Sequence, residues 1–150
     1  MFNKKISFRE MIISDCQKVS EIEAQLAEAP WSLRLFEGEF DLSEAVRHWI
    51  VCEIDEQIVG YAGIKFGAGE SHILNLGVKE SFQRKGIGKE LLLNLINEAV
   101  NRAVSFVHLE VNTKNSTAIS LYLDLGFERV GLRDNYYGKD TDAVLMTKFL

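Results

Sequence analysis

The chain has 150 residues, of which 47% are hydrophobic, and a formal net charge of −5 at pH 7. This composition suits one domain with a single buried core, and the acidic balance argues against a surface that binds nucleic acid by neutralising phosphates. No window approaches the roughly 18 apolar residues of a membrane span, and the N-terminus MFNKKISFREM lacks the apolar core of a secretory signal, so we expect a soluble, cytoplasmic protein.

The first third of the chain predicts a strand followed by two helices. β-forming residues cover positions 6–12, and Ser14 with Gln17 has the form of a helix capping box. The helix that follows should turn inward an apolar face formed by Cys16, Val19, Ile22 and Leu26. Pro30 interrupts this pattern, and a short second helix is predicted from Ser32 to about Phe40.

The middle of the chain predicts an antiparallel meander and then one long helix. Two β-rich runs flank the polar residues Asp55, Glu56 and Gln57, which is typical of a hairpin. A third strand is predicted over residues 71–78, after a glycine-rich turn. The strongest periodic pattern in the chain comes next and predicts a helix whose inner face is formed by Ile87, Leu91, Leu92, Leu95, Ile96, Ala99 and Val100.

The last third predicts a crossover and two closing strands. Residues 105–111, SFVHLEV, are typical of a buried strand, and residues 115–125 of a short helix that Gly126 ends. Strands over residues 127–133 and 142–149 complete the chain. The predicted fold is therefore an α+β domain with a mostly antiparallel sheet flanked by helices and one strand–helix–strand crossover in the middle.

The stretch FQRKGIGKELL places two glycines and three basic residues at the start of the long helix. It does not match a Walker P-loop, because Gln83 stands where a glycine is required and Glu90 where a hydroxyl is required. A dinucleotide fingerprint would need a third glycine at Leu91. What remains is Q-x-x-G-x-G, in which the bare amides around Gly86 and Gly88 and the helix dipole favour a phosphate or pyrophosphate. The alternative is a glycine-rich turn with solvated lysines.

Two pieces of the chain, LNLGVKESFQRKGIGKELL and HLEVNTKNSTAISLYLDLGFERVGLRDNYY, resemble the GNAT superfamily of acetyl-CoA-dependent N-acetyltransferases. The second piece, together with APWS near the start, looks most like the ribosomal-protein alanine N-acetyltransferase branch. The resemblance implies one GNAT domain over residues 1–150, with acetyl-CoA as co-substrate and no metal. It implies that strand backbone binds the pantetheine arm, that the glycine stretch wraps the pyrophosphate, and that the contacts come from Leu76, Gly77, Val78, Arg84, Lys85, Gly86, Ile87, Gly88, Lys89 and Asn115.

Amide formation from a thioester requires an unprotonated amine and a proton for the departing thiolate. Glu110, flanked by Leu109 and Val111, is a candidate for a desolvated carboxyl with a raised pKa, and the resemblance assigns it the role of base. Tyr122 becomes the acid by the same resemblance. The ordinary pKa of tyrosine exceeds that of a thiol by about 1.5 units, so full proton transfer costs roughly 2 kcal/mol. The alternatives are an outward-facing strand glutamate and a core tyrosine.

APWS and RDNYY are the segments that, by the resemblance, face the acceptor amine. Trp31, Tyr136 and Tyr137 are expected to line a slot for an extended peptide N-terminus, although Trp31 suits a core aromatic equally well. Neither a metal site nor a nucleophile triad is indicated by the spacing of His48, His72, His108, Cys16 and Cys52.

The sequence favours transfer of an acetyl group to the N-terminal α-amine of a protein, with an alanine-initiated ribosomal protein as the first candidate. One alternative is an acetyltransferase of the same fold that acts on a small amine or a lysine side chain. Another is a non-catalytic partner protein that binds coenzyme A. The presence of both Glu110 and Tyr122 argues against the non-catalytic alternative.

Overall fold

The computed structural model describes residues 5–150, and residues 1–4, which begin the N-terminal segment MFNKKISFREM, lie outside the described part. No helix within the described part is long and apolar enough to cross a membrane. Residues 5–150 include the strands β1 (Ile6–Glu10), β2 (Arg47–Ile54), β3 (Gln57–Gly67), β4 (Glu70–Val78), β5 (Phe106–Asn112), β6 (Glu128–Gly138) and β7 (Thr141–Phe149). The α-helices are α1 (Cys16–Leu26), α2 (Leu33–Glu39), α3 (Ile87–Asn101) and α4 (Ser116–Asp124).

The strands form one sheet in the order β1-β2-β3-β4-β5-β7-β6. Every neighbouring pair is antiparallel except β4 and β5, which run parallel and are connected through α3. Parallel neighbours require such a crossover, because a tight turn can join only antiparallel strands. The predicted class, a mostly antiparallel sheet with one crossover, is confirmed.

Helices cover both faces of the sheet. α3 and α4 contribute to the larger buried cluster, which includes Leu91 and Ile119, whereas α1 and α2 contribute to a second cluster around Trp49. Successive residues of β2 alternate between the two clusters, with Ile50 in the first and Val51 in the second. Because neighbouring strand residues point to opposite faces, the two clusters lie on opposite sides of the sheet.

Two local predictions are confirmed by backbone geometry. The hairpin between β2 and β3 turns at Asp55 and Glu56, whose positive φ angles of 50° and 67° are those of a type I′ turn. α4 begins after Asn115, whose side chain accepts a hydrogen bond from the backbone N–H of Ala118, and ends before Gly126 at a φ of 93°.

The predicted capping box at Ser14 and Gln17 is wrong. A 3-10 turn over Ile13–Asp15 precedes α1, and Asp15 accepts hydrogen bonds from the backbone N–H of Ile12 and from the guanidinium of Arg9. Arg9 lies on β1, so this contact belongs to the tertiary structure and has no signature in the local pattern. β6 also extends to Gly138, five residues beyond the predicted end at Arg133.

Glu23 of α1 holds three separate segments together. One carboxyl oxygen accepts a hydrogen bond from the Tyr61 hydroxyl of β3 at 2.6 Å. The other accepts from the backbone N–H of Trp31 and from the side-chain amide of Asn75 on β4, each at 3.0 Å. Glu23 is only 4% exposed. The loop between α1 and α2 is therefore fixed to β4 through one buried side chain whose polar atoms are fully used.

We expect Glu23→Ala to lower the free energy of unfolding by at least about 2 kcal/mol, because it leaves three donors without an acceptor. Glu23→Gln should lose less than Glu23→Ala, since its oxygen can accept from two of the donors and only the Tyr61 hydroxyl is left without an acceptor. Urea denaturation measures both variants. Glu21→Ala, at an exposed position of α1, is the control, and an equal loss in Glu21→Ala and Glu23→Ala contradicts the prediction.

Candidate active site

β4 and β5 pair over only three positions, from Glu70 opposite Phe106 to His72 opposite His108. Both strands are longer than this, since β4 continues to Val78 and β5 to Asn112. Beyond His72 the strands separate, and among the described residues no strand pairs with this edge of β4. We call the opening the β4–β5 fork. Its β4 side carries Leu76, Gly77 and Val78, the residues predicted to bind the pantetheine arm.

β4 is irregular where it borders the fork. Ile73 pairs with Ile64 and Asn75 with Gly63, so that Leu74 is an extra residue in the strand. Such a bulge changes which side chains reach each face of the sheet. Leu74 packs against the α1–α2 cluster, and Asn75 reaches Glu23 on the same side.

Gly77 has no room for a side chain. A Cβ atom built on it would lie 2.3 Å from the Tyr61 hydroxyl oxygen and 3.0 Å from a methyl group of Leu26. Tyr61 thus fills the space beside β4 and donates the same hydroxyl to Glu23. The glycine is explained by this contact, which sequence reasoning could not foresee because Tyr61 lies on another strand.

The start of α3 offers open backbone next to β4. Gly86 is the N-cap residue, with a left-handed φ of 85°, and Arg84 before it has a φ of 61°. The Gln83 side chain donates a hydrogen bond to the Val78 carbonyl at 2.9 Å and so connects this loop to the end of β4. Arg84, Lys85 and Lys89 are exposed around it. A helix N-terminus with basic side chains is suited to a phosphate group.

A pocket of about 470 Å³ opens at the fork on the α1–α2 side. It brings together all three aromatic residues predicted for the acceptor and the predicted base. Its lining consists of Ala29, Trp31, Ile73, Leu74, Glu110, Tyr136 and Tyr137. A second pocket, of about 390 Å³, lies between α3 and the β1–β2 edge and contains none of the predicted site residues.

Trp31 is both a core aromatic and a pocket residue. Its ring lies 5.2 Å from the ring of Phe36 and 5.7 Å from that of Trp49, measured between centroids. It is half-buried, and its backbone N–H is held by Glu23. The two interpretations left open by the sequence are therefore compatible, since one side of the ring packs on the core and the pocket includes the rest.

Tyr136 and Tyr137 both line the pocket although they are consecutive residues of β6. In a regular strand they would point to opposite faces. The pairing of β6 with β7 shifts between Arg133 and Gly138, and Asn135 has a positive φ of 55°. This kink permits both rings to face the pocket, in edge-to-face contact at 4.8 Å between centroids. Burial and the nearby Glu110 carboxyl raise the pKa of both hydroxyls.

Glu110 faces the pocket from β5, but its carboxyl group is not surrounded by Leu109 and Val111 as the sequence suggested. Leu109 and Val111 are buried on the opposite face of the strand, as its alternating burial shows, so they do not enclose the carboxyl group. Its Oε2 atom lies 2.5 Å from Nε2 of His72, and the Glu110 side chain is 15% exposed. Sequence reasoning missed His72. The usable signal was the predicted crossover, which makes β4 and β5 parallel neighbours.

Tyr122 lies on α4 and packs against the larger buried cluster, with its ring 5.8 Å from that of Phe127. Burial raises the pKa of its hydroxyl to about 12. The difference from an ordinary thiol is then about 3.5 units, or roughly 5 kcal/mol, instead of the roughly 2 kcal/mol expected from the sequence. Tyr122 does not line the pocket at the fork, but a negative charge on its oxygen would raise the pKa of the Tyr137 hydroxyl.

The remaining predicted residues need no ligand to explain their positions. Asn115 is the N-cap residue of α4, and its predicted contact with pantetheine stays a prediction. Cys16 and Cys52 are buried, and burial raises the pKa of each thiol to about 11. Residues 5–150 contain no group of three or more His, Cys, Asp or Glu side chains placed to hold a metal ion.

Comparison with known proteins agrees with this geometry. Residues 10–127 match the model of the Acetyltransferase (GNAT) family. The N-alpha-acetyltransferase RimI of Mycobacterium tuberculosis is 38% identical over 130 residues, which cover 83% of this chain and 79% of the relative. The ribosomal protein bS18-alanine N-acetyltransferase of Salmonella typhimurium is 32% identical over 89% of this chain and 90% of its own length. The crystal structure of the ribosomal-protein-S18-alanine N-acetyltransferase from Escherichia coli has a TM-score of 0.87 at 28% identity and covers 97% of this chain and 94% of that chain.

We expect Gly88→Val to raise the Kd of acetyl-CoA at least tenfold, about 1.4 kcal/mol, if the pyrophosphate binds at the start of α3. A Cβ at Gly88 meets only ordinary contacts, the nearest a methyl group of Val78 at 3.8 Å. The variant should therefore fold, since valine is no worse than glycine in a helix. Gly38→Val in α2, where a Cβ meets nothing within 4 Å, is the matched control for calorimetric titration. Equal affinity in Gly88→Val and Gly38→Val contradicts this binding site.

Proposed function

The chain belongs to the GNAT family of acetyltransferases, and from this membership we propose that it transfers the acetyl group of acetyl-CoA to the N-terminal α-amine of a protein, with an alanine-initiated ribosomal protein in the cytoplasm as its acceptor. The observation that carries the proposal is the pocket at the β4–β5 fork. Three separate segments supply Trp31, Glu110, Tyr136 and Tyr137 to it, next to the unpaired edge of β4.

The donor lies along β4 with its pyrophosphate at α3. Beyond His72 no strand in the described part of the chain pairs with this edge of β4. The Leu76 N–H donates to Asn75 Oδ1 and the Val78 carbonyl accepts from Gln83, and the other backbone groups of the edge are open to an extended molecule. Gln83 fixes the end of this edge to the loop that carries Gly86. The thioester at the end of the pantetheine arm then reaches the fork, where Glu110 faces the pocket.

Glu110 takes the proton that the acceptor must lose. An α-ammonium group has a pKa near 8, so that most of it is charged at pH 7 and cannot attack a carbonyl carbon. Glu110 contributes the carboxyl group in the lining of the pocket, and its Oε2 atom is hydrogen-bonded to His72. Its Oε1 atom has no hydrogen-bond partner among the described residues. Oε1 accepts a proton from the ammonium, and the neutral amine attacks the thioester.

Tyr122 supplies the proton that the sulfur needs. A hydroxyl with a pKa of about 12 is fully protonated at neutral pH. The hydroxyl does not give up its proton before the reaction, because moving that proton to a thiolate of ordinary pKa costs roughly 5 kcal/mol. It donates a hydrogen bond to the sulfur as negative charge develops there and transfers its proton as the carbon–sulfur bond breaks. The second proton, which the nitrogen loses as the amide forms, restores the Tyr122 hydroxyl. Desolvation also raises the proton affinity of the departing thiolate and narrows the difference.

The acceptor is tested with free peptides. A basic peptide that begins with alanine should be acetylated on its α-amine, and a serine start should differ by no more than roughly 200-fold, because one small group in a pocket is worth about 1–3 kcal/mol. The same peptide with a blocked α-amine and an internal lysine is the control. Mass spectrometry locates the product. Acetylation of lysine only, or of small amines with no reaction at alanine-initiated peptides, would overturn this function.

We expect Tyr122→Phe to lower kcat at least tenfold while the Kd of acetyl-CoA stays within about twofold, since the hydroxyl acts only when charge develops on sulfur. The raised pKa keeps the wild-type hydroxyl protonated until about pH 12. The wild-type kcat should therefore show no fall caused by Tyr122 up to about pH 10. Stopped assays over this range measure both effects. A variant with more than half of wild-type kcat, with chemistry rate-limiting, rules out the assigned role.

A further inference from the structure

His72 stands at the point where β4 and β5 separate. It is the last residue of β4 that pairs with β5, and its Nε2 atom reaches across the fork to Oε2 of Glu110 at 2.5 Å. The His72 side chain is 40% exposed and the Glu110 side chain 15%. The ring therefore lies on the solvent side of the carboxyl group, whereas Glu110 lines the pocket and His72 does not.

A lone glutamate at this place would have several orientations. Its carboxyl group is carried on three rotatable bonds, and its strand neighbours point to the other face. Among the described residues, His72 is the only one that makes a hydrogen bond to the carboxyl group of Glu110. The contact occupies Oε2 and leaves Oε1 for the pocket. A catalytic group must be held within a fraction of an ångström of its productive position, so this contact matters to the rate.

Resting on the proposed function, we propose that His72 is a positioning residue for Glu110, which donates its Nε2–H to Oε2 and thereby directs Oε1 to the acceptor amine. The proton lost by the ammonium goes to Oε1, and the N–H of His72 stays on its nitrogen. His72 makes and breaks no bond in the reaction. Its effect on the rate is therefore expected only through Glu110.

The charged and titratable groups around the pair do not take over this role. On β5, His108 has its ring centroid 6.4 Å from that of His72, while its Nδ1 bonds to Thr147 of β7 at 2.8 Å and its Nε2 lies 3.6 Å from Glu70 of β4. On β6, Arg133 lies over the Tyr136 ring, and Tyr136 and Tyr137 affect Glu110 only through space. His108 is thus a neighbouring histidine without contact to Glu110.

Two substitutions separate positioning from ionisation. Glutamine at position 72 can donate an amide N–H to the carboxylate but does not ionise, whereas leucine has a similar volume and no donor. His72→Leu should lower kcat about tenfold or more, and His72→Gln should stay within about threefold of wild type. His108→Leu, the matched control on β5, should stay within about twofold. The Kd of acetyl-CoA and the melting temperature are measured for each variant and should change little.

A double-mutant cycle shows whether the effect passes through Glu110. Glu110→Gln alone should lower the rate by ~100-fold at neutral pH, as is typical of a lost general base, with partial recovery at high pH. In the Glu110→Gln background, His72→Leu should change kcat by less than about twofold, because there is no carboxylate left to position. A merely structural role would reduce kcat by the same factor in both backgrounds.

A readout independent of turnover completes the test. In ¹⁵N-labelled protein, the Nε2 resonance of His72 should be that of a protonated nitrogen and should move in Glu110→Gln, whereas that of His108 should not. The proposal is overturned if His72→Leu keeps more than half of wild-type kcat or if the kcat of His72→Gln is no higher than that of His72→Leu. It is also overturned if the double-mutant cycle is additive, or if the Nε2 resonance of His72 does not move in Glu110→Gln.

The role of His72 can be tested without knowing which acceptor amine the enzyme prefers. The kinetic series uses whichever amine the wild-type enzyme acetylates best in the peptide screen. A failure of alanine-initiated peptides contradicts the proposed function and leaves the comparison of the His72 variants intact. If no amine reacts, the proposed function fails while the resonance of His72 still decides the contact with Glu110.

Discussion

The separation of β4 from β5 is the constraint on which the rest of the site depends. A strand inside a sheet normally has both edges paired, because unpaired backbone groups lose hydrogen bonds. Here β4 keeps β3 on one edge but has β5 on the other for only three residues. The freed edge is held in place by the pairing of β4 with β3, and in the described part of the chain no strand pairs with it beyond His72. An extended ligand can complete it, and the pocket, the base and the start of α3 all lie along this edge.

Rigidity on the acceptor side comes from Glu23. A buried carboxyl that binds the loop at Trp31, the strand at Asn75 and the core at Tyr61 leaves these segments little freedom to move separately. The loop at Trp31 is therefore attached to β4. The same Tyr61 excludes a side chain at Gly77. β4 and the loop at Trp31 thus share one set of buried contacts.

The sequence predicted those features that depend on local periodicity or on a distinctive motif. The crossover helix, the hairpin at Asp55 and the glycine stretch before α3 belong to this group. Sequence-based prediction failed where the local structure depends on a residue that is distant in the chain. The first turn of α1 is set by Arg9 of β1 rather than by a capping box, and the environment of Glu110 is set by His72 across the fork rather than by Leu109 and Val111. Strand alternation alone would have shown that those two neighbours face away from Glu110. Finding His72 required the register of β4 against β5, which no local pattern contains.

The two proton transfers that the proposed reaction requires are assigned to environments of opposite kind. Tyr122 must keep its proton until sulfur becomes charged, and burial in an apolar layer achieves this by opposing ionisation. Glu110 must be ready to accept a proton, and an equally apolar setting would favour the protonated acid, which cannot accept one. In the proposed arrangement, a hydrogen bond from His72 to Oε2 fixes the direction of the carboxyl group and leaves Oε1 open to the pocket. Because β4 and β5 separate just beyond His72, the same geometry that opens the edge of β4, where we propose that the donor binds, also places His72 beside Glu110, the proposed base.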